Sequence, residues 1–125
     1  MDVMEFEGVH HISLNVDDVE AAATFYRDVL GLTVIERPDM GFPGVWFEMG
    51  AQQLHLLEAK DFQAPKGQHF ALAVTDIISS RERLLKRGVK VSEPTEIKGV
   101  CLQCFFQDPT GNLLELNQAL QSKAG

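Results

Sequence analysis

Positive charge is scarce in this chain: 11 Lys and Arg stand against 18 Asp and Glu, a net charge of −7. That balance argues against nucleic acid or an anionic membrane as partner, since both are held through clustered cations. Cysteine is scarce too. Two thiols, behind an acidic N-terminus with no apolar leader, suit a reducing cytoplasm and not a disulfide-stapled secreted domain. No stretch approaches the roughly 20 apolar residues that span a bilayer. Gly-rich phosphate loops, nucleophile elbows and nucleic-acid motifs are missing. Cys101 and Cys104 have CxxC spacing, but an odd separation along a strand turns the thiols to opposite faces. With no second pair to complete a zinc knuckle, they read as buried thiols. What remains is 125 residues, 45% hydrophobic and 23% charged, enough for one domain around one core.

Within that ordinary composition, two stretches repeat each other. His11-Ile12-Ser13-Leu14-Asn15-Val16-Asp17-Asp18-Val19 aligns with His69-Phe70-Ala71-Leu72-Ala73-Val74-Thr75-Asp76-Ile77, 58 residues on. Leu54-His55-Leu56 aligns with Leu114-Glu115-Leu116, 60 residues on. A duplicated core has no need to duplicate polar positions, so His, His, His and Glu at equivalent points suggest one four-ligand metal site.

The elements follow from periodicity. Residues 9–16 alternate as a strand, and Asp17 or Asp18 can cap a helix whose stripe is Val19, Ala22, Ala23, Tyr26, Val29 and Leu30, stopped at Gly31. Strands at about 32–37, 44–49 and 53–59 follow, punctuated by Pro38, Gly41, Pro43, Gly44 and Gly50. The second half repeats the plan. It has a strand at about 68–74 and a helix opened by Thr75 or Asp76, with Ile77, Ile78, Leu84 and Leu85 inward. Strands at about 90–97, 100–107 and 113–118 complete it, with a turn at Asp108-Pro109-Thr110-Gly111-Asn112. The expected fold is α+β: two tandem βαβββ modules, about 8–59 and 68–119 joined by a polar connector 60–67, curled into a partly closed barrel around a cleft.

Strand parity decides which face carries the chemistry. Ile12, Leu14 and Val16 share the face suited to a helix, and His11, Ser13 and Asn15 share the other. The same division separates Phe70, Leu72 and Val74 from His69, Leu54 and Leu56 from His55, and Leu114 and Leu116 from Glu115. Parity also selects His11 over His10. A histidine on a strand is ordinarily a hydrogen-bonded structural residue, and that reading stays open for each one alone. Glu115 among leucines is harder to set aside, because burying a carboxylate costs several kcal/mol without a cation or donors. Trp46 and Phe105, with Met40 and Phe42 near in sequence, can line a pocket or fill the core.

Three segments carry a family resemblance: His10-His11-Ile12-Ser13-Leu14-Asn15-Val16-Asp17-Asp18, Phe25-Tyr26-Arg27-Asp28-Val29-Leu30-Gly31-Leu32, and Asp108-Pro109-Thr110-Gly111-Asn112-Leu113-Leu114-Glu115-Leu116. In order and spacing the chain resembles, over residues 8–119, the vicinal oxygen chelate superfamily. That group includes glyoxalase I, methylmalonyl-CoA epimerase, extradiol dioxygenases and fosfomycin-resistance thiol transferases. The resemblance implies paired βαβββ modules and a homodimer, with metal sites that in many members combine one module from each subunit. It implies His11, His55, His69 and Glu115 as ligands for one divalent transition metal: Ni, Zn, Co, Fe or Mn. His55 falls where glyoxalase I usually has Glu and the epimerase Gln. Asn15 and Ala59 stand where bacterial glyoxalase I typically carries an Arg and an Asn for glutathione, which argues against a glutathione conjugate as substrate.

The expected function is therefore glyoxalase I-like. A small substrate binds by two vicinal oxygens at a His3Glu site, and Glu115 moves a proton in an isomerase or lyase reaction. Ser13, Asn15, Trp46 and Phe105 are the candidate substrate contacts. Two alternatives remain: an Fe(II) ring-cleaving type of dioxygenase built on His11, His69 and Glu115, and a non-catalytic protein that binds an antibiotic or other small hydrophobe. No nucleic-acid or membrane partner is expected.

Overall fold

A computed structural model describes residues 2–121 and divides the chain into two compact units, Met1–Phe62 and Gln63–Gly125. In the first unit, β1 (His11–Val16) leads into α1 (Val19–Thr24), then β2 (Thr33–Ile35), β3 (Gly44–Met49) and β4 (Gln52–Glu58). These strands form one sheet in the order β1-β4-β3-β2, with β1 parallel to β4 and the other pairs antiparallel. The second unit repeats this with β5 (His69–Ala73), α2 (Ile77–Lys86), β6 (Thr95–Ile97), β7 (Cys101–Gln107) and β8 (Leu113–Ala119), in the order β5-β8-β7-β6. Both units are thus βαβββ. Among the described residues the strands make two open four-stranded ladders and not one closed one.

Each helix starts where a carboxylate meets its free amides. Asp18 accepts from the Ala21 amide and Asp76 from the Ser79 amide, both at 3.1 Å. In the first unit Val16, Ala22, Tyr26, Phe47, Leu54 and Leu56 are fully buried beneath α1, which packs on β3 and β4. In the second, Ile77, Leu84, Cys104, Phe106, Leu114 and Leu116 fill the space between α2 and strands β7 and β8. Cys101 and Cys104 are free thiols and both buried, and burial pushes the Cys104 thiol up.

Four local expectations change. The first helix does not stay α-helical: Phe25–Val29 form a π-helical turn, in which the Leu30 amide reaches the Phe25 carbonyl at 3.1 Å. The wider turn brings both Phe25 and Tyr26 inward, where an α-helical stripe accounts for Tyr26 alone. On α2, Ile77 and Leu84 are buried, but Ile78 and Leu85 are 55% and 41% exposed. Residues seven apart share a face, and one residue further turns roughly 100° away from the sheet. The strand expected over 90–97 is ordered as β6 only from Thr95. Pro94 has no amide to give, while Ser92 still joins β7, its amide bonding the Phe105 carbonyl at 2.9 Å. The edge strand β2 is likewise shorter than the expected 32–37.

The turn before β8 is held by one buried carboxylate. Asp108 accepts from the amides of Thr110 (3.0 Å) and Asn112 (2.9 Å) and from Asn112 Nδ2 (3.0 Å). Asp108→Ala leaves those donors short of acceptors and is expected to cost about 1–3 kcal/mol in urea unfolding, against a smaller loss for the exposed Asp18→Ala.

Candidate metal centre

In each unit the polar side chains expected on the open face converge in one cross-strand row. In the first, Ser13, His55 and Trp46 are direct partners across β1, β4 and β3. In the second, Ala71, Glu115 and Phe105 occupy the same row across β5, β8 and β7. His11 and His69 sit two residues before Ser13 and Ala71, so parity puts each on the same face as its row. Burial along β1 and β5 alternates accordingly, with His11, Ser13, Asn15 and His69 exposed.

The second unit brings His69 and Glu115 together. His69 Nδ1 lies 2.8 Å from the Gly67 carbonyl. A carbonyl only accepts, so Nδ1 carries the hydrogen and Nε2 faces the other way. That Nε2 lies 3.0 Å from Glu115 Oε1, and Asn117 Nδ2 donates to Glu115 Oε2 at 2.7 Å. Glu115 is 6% exposed, between Leu114 and Leu116. Phe105 closes one side, its ring edge-on to His69 at 5.3 Å. The separation fits a shared cation: two donors at about 2.0–2.1 Å from one ion stand roughly 2.9–3.4 Å apart. Backbone and amide partners that fix the tautomer and the carboxylate are what metal ligands ordinarily have around them.

The first unit builds a stack of three rings. His55 lies between Trp46 and His11, with centroids 4.1 Å away on each side and planes within 6° and 17° of parallel. His55 Nε2 bonds Gln53 Oε1 at 2.9 Å, which leaves its Nδ1 lone pair open. His11 Nδ1 is shared with His10 Nδ1 at 2.9 Å, which leaves Nε2 open. Parallel rings this far apart are wider than two ligands on one ion, so joint ligation needs them to tilt together. Beside the stack is a cavity of about 150 Å³, lined by His11, Ser13, Trp46 and His55 with Arg37, Met40, Phe42 and Leu57. Asn15 lies outside that lining.

Each unit therefore supplies two of the four expected ligands. Among the described residues no three His, Cys, Asp or Glu side chains form one set. Sequence reasoning gave no role to Arg37 or Gly67, and put Gln53 and Asn117 on the face of His55 and Glu115 without assigning them one. Gln53 and Asn117 stand two residues from His55 and Glu115, where strand parity makes them same-face neighbours, so that signal was available. Arg37 lies in an irregular loop, where no periodicity points.

Burial, more than the nearby charges of His11, His10 and Arg37, holds the His55 imidazole below its ordinary value of 6.5. The unfolded chain then takes up this proton first as pH falls. The group's contribution to stability is complete above about pH 6.5 and declines below it. His55→Gln is expected to flatten part of the fall in melting temperature between about pH 7 and 5; an unchanged slope contradicts that assignment.

With this geometry in hand, comparison with known proteins is informative. Residues 8–116 match the family described as Glyoxalase/Bleomycin resistance protein/Dioxygenase superfamily. The chain is 29% identical to the "Probable lactoylglutathione lyase" of Synechocystis sp., over 90% of this chain and 96% of that one. It is 30% identical to the mitochondrial methylmalonyl-CoA epimerase of Mus musculus, over 89% of this chain and 72% of that one. A crystal structure of a glyoxalase family protein from Bacillus anthracis superposes with a TM-score of 0.86, covering 95% of this chain and 100% of that one at 24% identity. That last likeness concerns the fold alone.

Proposed function

The chain belongs to the glyoxalase/bleomycin resistance protein/dioxygenase superfamily, and on that footing we propose that it is a metal-dependent enzyme of glyoxalase I-like type. It binds a small substrate through two vicinal oxygens and catalyses proton transfer of the isomerase or lyase kind. His11 and His55 hold the metal from the first unit, His69 and Glu115 from the second. One chain can supply both halves, or a homodimer can join the first unit of one copy to the second of the other. The observation that carries this reading is the 3.0 Å contact between His69 Nε2 and Glu115 Oε1, with each partner separately oriented by Gly67 and Asn117.

A bound Ni, Zn, Co, Fe or Mn ion would act as Lewis acid toward the paired substrate oxygens. The remaining roles belong to the chain. Glu115 is the only carboxylate of the proposed ligand set, so it is the base that takes the substrate's α-proton. Asn117 donates to Oε2 and fixes the plane of the carboxylate. His69, anchored at Gly67, faces Oε1, so that an ion between them would be held by both. Ser13, Trp46 and Phe105 line the two halves where the substrate body would rest, with Asn15 further along β1. His55 has no carboxylate to shuttle a second proton, so proton transfer is one-sided.

Turnover is to be screened with α-ketoaldehyde thiol adducts, acyl-CoA epimers and catechols. Glu115→Gln is expected to lower kcat by about 10²–10⁴ while elemental analysis still finds metal, and His11→Ala to lower the metal content itself. Full activity in Glu115→Gln rules out Glu115 as base. Oxygen consumption with catechols under Fe(II) favours ring-cleaving chemistry instead, and protein without stoichiometric metal favours a binding role.

A further inference from the structure

The stacked-ring cavity has a wall that metal ligation does not explain. Arg37 follows β2 in a loop punctuated by Pro38, Gly41 and Pro43. Its Nη2 donates to the Phe42 carbonyl at 2.9 Å, and its Cζ sits 5.0 Å from the Phe42 ring centroid. Its guanidinium rests against Gly44, where an added Cβ would come within 2.9 Å of Nη2 and would also collide with the Leu56 carbonyl. The side chain is thus held on three sides, by a carbonyl, a ring and a residue with no side chain.

What it lacks is an anion. Arg27 pairs with Asp28 at 2.8 Å and Arg81 with Glu93 at 3.3 Å, but among the described residues no carboxylate reaches Arg37. Its Nε is shut off from solvent and has no hydrogen-bond partner. In a chain with 18 acidic residues, a fixed guanidinium with no acid beside it stands out. The only other ionisable groups on the cavity wall are His11 and His55, and neither brings negative charge. The rest is largely apolar: Met40, Phe42, Trp46 and Leu57, with Met40 47% and Phe42 41% exposed at the surface.

We propose that Arg37 is a specificity residue that receives a carboxylate of the substrate, whose apolar body lies along Trp46, Met40 and Phe42. The terminal Nη1–H and Nη2–H of an arginine match a carboxylate with two parallel donors, and among the described residues no acid occupies that edge. The space of about 150 Å³ admits that group with a few carbons, while the rest of the ligand extends outward. This deepens the proposed function, since it names the substrate as an organic acid with its charge set apart from the chelating oxygens.

The test uses 3-phenylpropionate and its neutral amide as probes, with chelator-treated full-length protein. Metal uptake is measured separately, so the two readings fail independently. Wild type is expected to bind the acid at least tenfold more tightly than the amide, and the Arg37 terminal Nη–H resonances to move with the acid only. Arg37→Met should abolish the preference, and Arg37→Lys, which keeps the charge without the fork, should retain part of it. An acid bound no better than its amide, an Arg37 resonance that does not respond, or a preference that survives Arg37→Met overturns the assignment.

Discussion

A carboxylate set into an apolar strand is the constraint from which the rest of this protein can be understood. Glu115 is almost fully buried between Leu114 and Leu116. Left alone, such a charge costs several kcal/mol. The fold gives one oxygen a donor in Asn117 and sets His69 Nε2 against the other, with His69 anchored in turn on the Gly67 carbonyl. With its hydrogen on Nδ1, His69 turns one lone pair toward the carboxylate, the arrangement that a shared cation would bridge.

The duplicated unit makes the same position available twice and fills it differently. His55 stands in the first unit where Glu115 stands in the second, and Trp46 where Phe105 stands. The first copy thus carries aromatic rings in a stack, and the second an acid flanked by His69 and Asn117. Divergence at matched positions gives one half imidazoles and an aromatic wall, and gives the other a buried carboxylate. Arg37 belongs to the first half, whose wall carries positive charge and no negative charge.

Much of this was legible before any coordinates, for reasons that lie in the strands. Alternation fixes the face of His11, His55, His69 and Glu115, because a side chain on a strand has only two directions to choose from. The repeat fixed the order of elements for the same reason, and Asp18 and Asp76 cap their helices as their sequence positions suggest. The parts that could not be foreseen depend on tertiary context. The π-helical turn at Phe25–Val29 brings an aromatic inward that an ideal helix turns away. Ile78 and Leu85 look like stripe residues until the helix settles on Ile77 and Leu84. Arg37 has no periodic signature, since its position comes from a loop carbonyl, a phenyl face and the space left by Gly44.

The central claim is that three imidazoles and one carboxylate serve a single metal ion. X-ray absorption on Co(II)-loaded protein reads that shell directly. The account predicts one tightly held ion per set of four ligands, with three imidazole nitrogens and a carboxylate oxygen in the shell. One imidazole should be lost in each of His11→Ala, His55→Ala and His69→Ala. A cobalt ion surrounded by water alone, or a shell unchanged by those substitutions, would contradict it.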